Sequence, residues 1–396
     1  MNKLTTVIGA AFLAISFNAN AGDCPALSGE YTIGMNDADF SSMSEAISAM
    51  KCGGVSGAVT FSIEDGTYNE RIVMSAIDGD SAFNNITFQS KSGNNAGVIV
   101  TSNGGDATIA MNGTSWVAFE NMTIDHKNAT YGSAVKVDGK ASHIAFKSVV
   151  FEGVEVSKAG ANAAVINFTA NAPKSDITIE DCEINNGSVG IAKAGMSADQ
   201  ADTKTMITGT LFFNQFEAGM ALKNEDAPNI SNNVVSSLSA HQGYKAISLD
   251  NASNNMIVSN NIINATNGTY GLAMNDCGGK ATNMGQVNNN SIAVGSTGEA
   301  YGLYLSGNTD NQIFNYNRVK LTINGTQASN QAYYRNTGSG NNVNMMNNIF
   351  YDLGTGGYTI IGNTYKDHFN QLPGQSNPAL SASANGVMIE KVSPIK

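Results

Sequence analysis

The sequence predicts an all-β solenoid, in which one chain winds into a parallel β-helix of about ten stacked coils. A six-residue phrase, apolar-x-Asn-x-x-apolar, returns with a mean period of about 28 residues from residue 119 to residue 350. A second, alternating apolar column recurs in step with it. Runs of Val, Ile and Phe separated by Gly, Asn, Ser and Thr fill each period. This composition is typical of short strands joined by tight turns.

The third position of the phrase is most often asparagine. Asn tolerates left-handed backbone at corners, and its amide can hydrogen-bond the equivalent residue one coil away. We therefore predict that this column forms corners and an amide ladder, with a structural role. Its members are Asn121, Ser148, Asp181, Gly209, Asn232, Asn260, Asn289, Tyr316 and Asn347.

The last position of the phrase is apolar in every copy. Because residues alternate between the two sides of a strand, these side chains are predicted to point inward and form one axial stack. The stack comprises Ile124, Phe151, Ile184, Phe212, Val235, Ile263, Ile292, Val319 and Phe350.

The second column consists of alternating strands around Ala246, Leu272, Leu303 and Tyr333. Its apolar members are also expected to face the interior. The Leu-x-x-Leu-x-Leu frame of leucine-rich repeats and the Gly-Gly-x-Gly-x-Asp frame of calcium-binding repeats are both missing from the sequence. The periodicity is therefore that of a β-helix and not of those other repeat classes.

Residues 1–21 read as a signal peptide, with basic Lys3, an apolar stretch over residues 4–17 and the small residues Ala19 and Ala21 around the cleavage site. No other stretch is apolar for long enough to span a membrane. We expect an exported protein, located at the cell surface, in the periplasm or in the medium of a bacterium. The net charge of −11 argues against nucleic acid and anionic membrane surfaces as partners.

Residues 22–57 are predicted to cap the solenoid. Ser42 and Glu45 form a capping box, and a short amphipathic helix there would cover the open end of the first coil, which starts the β-helix of residues 58–396. Cys24 and Cys52 bracket this helix and are expected to pair in an oxidising compartment.

The other two cysteines, Cys182 and Cys277, lie about three coils apart, or roughly 14 Å, which exceeds disulfide reach. They are expected to be buried thiols. The four histidines are scattered without ligand spacing, so no metal site is predicted.

The order of elements at both ends carries a resemblance. Residues 40–49, a strand at 59–63 and the Gly-Thr-Tyr-Asn-Glu segment at 66–70 resemble the entry of the pectin-lyase-like superfamily of right-handed β-helices. Asn377 to Leu380 and Val392 to Ile395 are similar to its closing turns. The resemblance implies a right-handed coil with a C-terminal closing segment, of the kind secreted by Bacteroidota-like bacteria.

That superfamily contains pectate lyases, pectin methylesterases and polygalacturonases as well as proteins without catalysis, so the fold leaves function open. The sequence has no Asp-Asp pair for polygalacturonase chemistry and lacks the Asp context of a methylesterase. Its three arginines, Arg71, Arg318 and Arg335, are a poor supply for an anionic substrate.

One candidate catalytic cluster is Asp125, His126 and Lys127, which follow a predicted strand and could offer a carboxylate, a general base and a cation at one corner. The alternative, which we favour, is a solvated turn, because adjacent residues of a strand alternate between its faces.

A candidate carbohydrate-binding strip consists of Tyr270, Tyr301, Tyr304 and Tyr334, with Arg335 beside them. Tyrosines one coil apart on an exposed face could stack against sugar rings while their hydroxyl groups form hydrogen bonds. An aromatic ladder that only stabilises the solenoid remains the open alternative.

Together these observations favour an exported β-helix that binds a glycan or a cell-surface partner, adhesin-like and without catalysis or cofactor. The alternative is a polysaccharide lyase or a related pectin- or uronate-active enzyme, with a glycoside hydrolase as a further enzyme class. Ca²⁺ enters only with the lyase alternative, because lyases use it to neutralise the carboxylate of a uronate.

Overall fold

The structure, a computed structural model, describes residues 24–128, 131–156, 163–239, 241–296, 298–323, 331–339, 342–352, 357–361 and 365–368. The predicted signal peptide at residues 1–21 and the predicted closing turns at 377–380 and 392–395 lie outside the described residues. Among the residues described, no helix is long and apolar enough to cross a membrane.

The chain forms a solenoid with three faces of parallel strands. Face I contains β4 (Ile72–Ser75), β7 (Ala107–Asn112), β10 (Ser133–Asp138), β13 (Ala164–Phe168), β16 (Val189–Ala194), β19 (Ala218–Asp226), β22 (Lys245–Ser253), β25 (Tyr270–Asn275), β28 (Tyr301–Asn308), β31 (Gln331–Ser339) and β34 (Gly357–Ile361). Face II contains β1 (Leu27–Ile33), β2 (Val55–Ile63), β5 (Ile86–Ser90), β8 (Ser115–Glu120), β11 (Ala141–Lys147), β14 (Lys174–Glu180), β17 (Asp202–Thr208), β20 (Asn229–Ser231), β23 (Ile257–Ser259), β26 (Gly285–Asn288), β29 (Gln312–Asn315), β32 (Val343–Met346) and β35 (Tyr365–His368).

Within the described residues, face III is a sheet with 11 strands, one for each turn of the solenoid. The predicted all-β parallel β-helix is confirmed, with one turn more than the ten expected. Its strands are β3 (Gly66–Asn69), β6 (Val98–Ser102), β9 (Thr123–His126), β12 (Val150–Glu152), β15 (Glu183–Asn185), β18 (Leu211–Phe213), β21 (Val234–Ser237), β24 (Ile262–Ala265), β27 (Ser291–Ser296), β30 (Arg318–Ile323) and β33 (Ile349–Asp352).

The predicted axial stack lies on the inner side of face III. Each member pairs with the next across adjacent strands, as Ile263 does with Val235 and Ile292. All nine side chains are at most 3% exposed. The register deduced from the repeat phrase is therefore correct along the whole stack.

The corner column has the predicted backbone, but the ladder lies one residue further along the chain. All nine third-position residues have left-handed φ values, such as 56° for Asn260 and 55° for Asn289. The continuous ladder is formed by the residues that follow the corners in the last five coils: Asn233, Asn261, Asn290, Asn317 and Asn348. In the preceding coils the same inward position holds the buried apolar residues Met122, Val149 and Cys182, followed by Thr210.

The corner column carries one bond of the predicted ladder, from the amide of Asn289 to Asn260 at 2.6 Å, but the continuous ladder lies in the inward column. A left-handed corner residue points its side chain outward, as the exposed Asn289 shows, whereas the next residue turns into the interior. An inward amide bonds the coil on each side of it, as Asn290 does with Val258 of the preceding coil and Asn317 of the following coil.

The N-terminal end is capped as expected. Helix α1 (Met43–Gly53) begins at Ser42, whose side chain accepts a hydrogen bond from the backbone N–H of Glu45. The helix buries Met43, Ala46, Ile47 and Met50 against the first coils. A disulfide joins Cys24 to Cys52 with a Cα–Cα distance of 5.5 Å.

The remaining cysteines, Cys182 and Cys277, are buried free thiols, and burial raises the pKa of each to about 12. We predict that iodoacetamide will modify two cysteines in the denatured, non-reduced protein and all four after reduction. Mass spectrometry of the alkylated chain measures this number. Fewer than two modified thiols before reduction would contradict the coil spacing that separates Cys182 from Cys277.

Candidate functional site

Three adjoining cavities form a groove along the outer side of face I. They have volumes of about 390, 320 and 480 Å³. The first two share Ser248 and Asp250, and the second and third share Tyr270. We call this continuous depression the face I groove. It begins near Asn167 and runs to Tyr304 and the corner that contains Glu299.

Two small outward side chains, Ala192 and Ala221, line one end of the face I groove. Ala164, Val189 and Ala218 occupy successive outward positions and pack into a separate small cluster with Ala192 and Ala221. The core side chains of these strands point to the opposite side of the sheet. The outer surface is therefore low at this end and rises at the tyrosines.

Four tyrosines form a compact cluster at the other end of the groove. The rings of Tyr270 and Tyr301 stack at 5.3 Å between centroids, and those of Tyr304 and Tyr334 stack at 5.1 Å. Edge contacts of 5.0 to 5.2 Å join the two pairs. The strands pair Tyr270 with Tyr301 and Tyr304 with Tyr334, which is the column arrangement predicted from the sequence.

The exposure of this cluster differs from the prediction at one position. Tyr301 is only 8% exposed because the other three rings cover it. Tyr270, Tyr304 and Tyr334 are half-buried and form the accessible surface. Burial raises the pKa of Tyr301 to about 12, with the nearby Glu299 adding to the effect, so its hydroxyl stays neutral.

Arg335 does not belong to the strip, contrary to the prediction. Its side chain is 0% exposed and occupies an inward position beside Leu305, whereas Tyr334 points outward. The strand alternation that brings Tyr334 to the surface necessarily turns the next residue into the core. A ligand on the outer surface cannot reach Arg335.

Polar groups line the middle of the face I groove. Lys223 donates to Asp250 at 2.9 Å, and the amide of Asn275 donates to the same carboxylate at 3.0 Å. Burial alone would raise the pKa of Asp250, but these donors and the nearby charge of Lys245 outweigh burial and lower it. Asp250 is thus a stable carboxylate and a hydrogen-bond acceptor.

Lys245 lies where this polar section meets the tyrosines. Its ammonium group stands 5.8 Å from the centre of the Tyr270 ring. Lys245, Asp250 and Asn275 were not among the site residues predicted from the sequence. Lys245 shares one outward column with Ala218, Tyr270 and Tyr301, and that column was visible in the repeat.

The second candidate cluster, Asp125 to Lys127, does not converge. Asp125 and Lys127 form an ion pair, whereas His126 contacts the hydroxyl of Thr108 at 3.2 Å. The preferred alternative, a solvated turn, is also wrong for two of the residues, because Asp125 is 7% and His126 is 2% exposed. Burial lowers the pKa of His126, which keeps its imidazole neutral.

Comparison with known proteins agrees with this architecture. Residues 107–268 match the family described as the right handed beta helix region. The chain is similar to the Dettilon tailspike protein, with 13% identity, a TM-score of 0.51 and coverage of 83% of this chain and 62% of that one. It therefore spans less than two thirds of the tailspike chain. No curated protein matches the sequence.

Two further solved structures show weaker likeness. A lacto-N-biosidase from Eubacterium ramulus has 11% identity and a TM-score of 0.49, with coverage of 87% of this chain and 68% of that one. A pectin methylesterase from Aspergillus niger has 12% identity and a TM-score of 0.32, with coverage of 93% of both chains. Likeness at this level of identity concerns the fold alone. The chain has the right-handed parallel β-helix fold, and its residues 107–268 match the family model of that fold.

Proposed function

We propose that the face I groove binds a neutral glycan chain, and that the protein does so outside the cytoplasm without catalysis. The observation that carries this proposal is the tyrosine cluster, which stands at the end of an elongated groove. Sugar rings have apolar C–H faces and hydroxyl edges, and tyrosine offers an aromatic face together with a hydroxyl group. Tyr270 and Tyr304 line the central cavity directly.

The groove has the shape of a polymer site. It crosses six neighbouring strands from β13 to β28, which at the usual strand spacing is about 24 Å. That length suits an oligosaccharide better than a single sugar. Ser248, Asp250 and Asn275 supply hydrogen-bond groups for hydroxyls between the two ends.

The charge balance supports a neutral ligand. The chain carries a net charge of −11, so a polyanion would be repelled unless cations intervened. Of the two lysines in the central part of the groove, Lys223 is already paired with Asp250. An exported setting fits the leader-like residues 1–21 and the disulfide of the cap.

The alternative of a glycan-cleaving enzyme is less well supported by the groove. A general acid for glycosidic cleavage needs a carboxyl group with a raised pKa. The pKa of Asp250 is lowered instead, and its oxygens are occupied by Lys223 and Asn275. This arrangement favours a binding role for the carboxylate.

The proposal predicts that Tyr304→Ala will weaken binding of neutral oligosaccharides about tenfold, because one half-buried stacking face is lost. An array of neutral and uronate-containing oligosaccharides would identify the ligand, and calorimetry would measure the dissociation constant. The matched control is Tyr316→Ala, because Tyr316 is 62% exposed on a corner away from the groove.

Both variants should keep the melting temperature of the parent protein. Unchanged binding by Tyr304→Ala, or an equal loss with Tyr316→Ala, would contradict the site. Release of new reducing ends or unsaturated products from any array member would instead favour the enzyme alternative.

A further inference from the structure

A second cluster of ionisable residues lies inside the solenoid, beneath the end of the face I groove that Lys193 helps to line. Lys193, Asp202 and Glu225 are 2%, 0% and 0% exposed. Lys193 occupies an inward position of face I, where its strand neighbours are Phe168 and Leu222. A lysine with two carboxylates therefore replaces an aliphatic layer of the core.

The lysine nitrogen touches both acids. Its Nζ lies 2.6 Å from Oδ2 of Asp202 and 2.6 Å from Oε1 of Glu225. The ring of Phe168 covers the ammonium group at 5.9 Å. A nucleophilic nitrogen is thus held in contact with a carboxyl group inside an apolar core.

The remaining oxygen of each acid is also held. The backbone N–H of Lys174 donates to Oδ1 of Asp202 at 2.8 Å, and the hydroxyl of Thr205 donates to Oε2 of Glu225 at 2.6 Å. Burial raises the pKa of Glu225, although Lys193 and Thr205 act in the opposite direction. Asp202 therefore presents one oxygen to the lysine and the other to a fixed backbone donor.

From this geometry we propose that Lys193 and Asp202 condense to an intramolecular isopeptide bond, with Glu225 as the catalytic proton carrier. The Nζ of Lys193 is the nucleophile, and Cγ of Asp202 is the carbon that it attacks. The backbone N–H of Lys174 stabilises the negative charge that develops on Oδ1 of Asp202, as a donor in an oxyanion hole does.

The reaction balances without a further reagent. An N–C bond forms between Nζ of Lys193 and Cγ of Asp202, and the bond from Cγ to Oδ2 breaks. The two protons lost from the ammonium group leave with Oδ2 as one molecule of water. Glu225 transfers a proton from the nitrogen to the departing oxygen and returns to its starting state.

Two physical effects favour this condensation over a permanent ion pair. Burying an ammonium and a carboxylate costs several kcal/mol of solvation for each ion, whereas an amide is neutral. Fixing both reactants in contact replaces an encounter in solution by an effective concentration on the order of 10⁵ M or more. The apolar core also keeps out the water that would reverse the reaction.

The test is mass spectrometry of the purified, reduced full-length protein after denaturation. We expect the chain to be lighter by one water molecule than the mass calculated for the residues it contains. Trypsin should then leave peptide 175–204 uncut at Lys193 and lighter by that same water, because the amide blocks the cleavage site. A peptide 175–204 of full mass, or normal cleavage at Lys193, would overturn the proposal.

Substitutions distinguish the residue that forms the bond from the residue proposed to catalyse its formation. Lys193→Met should abolish the water loss, and Glu225→Gln should reduce the linked fraction at least tenfold in freshly made protein. The control is Lys223→Met, since Lys223 forms a solvent-exposed pair with Asp250 on the outer surface. Peptide 175–204 should remain linked in that variant.

If Lys193→Met or Glu225→Gln fails to fold, the peptide map of the parent protein is still sufficient to test for the bond, because it shows whether peptide 175–204 is linked. Full linkage in Glu225→Gln would remove Glu225 from the mechanism. The outcome is independent of glycan binding, so the two proposals can fail separately.

Discussion

Ile263→Asp is expected to lower the free energy of unfolding by about 4 kcal/mol or more, because it removes a core side chain and places an unpaired carboxylate in an apolar stack. Ile263 is 2% exposed and lies between Val235 and Ile292 in the middle of face III. Its two cross-strand neighbours are apolar and offer the charge no partner. Denaturant titration followed by circular dichroism measures the loss.

The chain provides a matched control one residue earlier. Ile262 belongs to the same strand but faces outward and is 53% exposed. Ile262→Asp adds the same charge at the same height of the solenoid, yet it should change the free energy of unfolding by only about 0.5 kcal/mol. Equal effects of the two substitutions would show that the assigned faces of the strand are wrong.

Asn290→Ala is expected to cost about 3 kcal/mol, because it breaks the ladder at its centre and leaves buried polar groups without partners. The amide of Asn290 donates to Asn317 and to the backbone oxygen of Val258, each at 2.9 Å. Its own oxygen accepts from the backbone and the side chain of Asn261. Thermal and denaturant unfolding of the variant would measure the cost.

The neighbouring corner residue serves as the control. Asn289 is exposed, its amide donates to the exposed Asn260, and its φ of 55° is a conformation that glycine adopts without strain. Asn289→Gly should therefore change the free energy of unfolding by less than about 1 kcal/mol. A larger loss of unfolding free energy for Asn289→Gly than for Asn290→Ala would show that the corner column, and not the inward column, forms the stabilising ladder.

Asn289 and Asn290 also show which features of the structure the repeat phrase predicted and which it did not. The left-handed corners followed from the residue types alone, because asparagine and glycine are the residues that tolerate that backbone. The position of the ladder did not follow. It depends on the direction of each side chain after the corner, which the spacing of the repeat does not contain.

The tyrosine cluster and Arg335 likewise combine features that the sequence predicts with one that it does not. Alternation along the strand placed Tyr304 and Tyr334 in one outward column, as the structure shows. The same rule, applied strictly, would have turned Arg335 inward. The mutual covering that buries Tyr301 was not predictable, since it depends on ring rotamers in three neighbouring coils.

The sequence by itself determined the solenoid, its period, its corners and the inward face III stack, because these follow from local backbone preference and the two-residue alternation of strands. Only the tertiary structure decided which polar side chains meet, as Lys245 does with Tyr270 and Lys193 with Asp202 and Glu225. The coils differ in length, so a side chain's neighbours one coil away depend on the register of the loops between the strands. Both proposed sites are therefore properties of stacked coils, and no single segment of the chain contains either one.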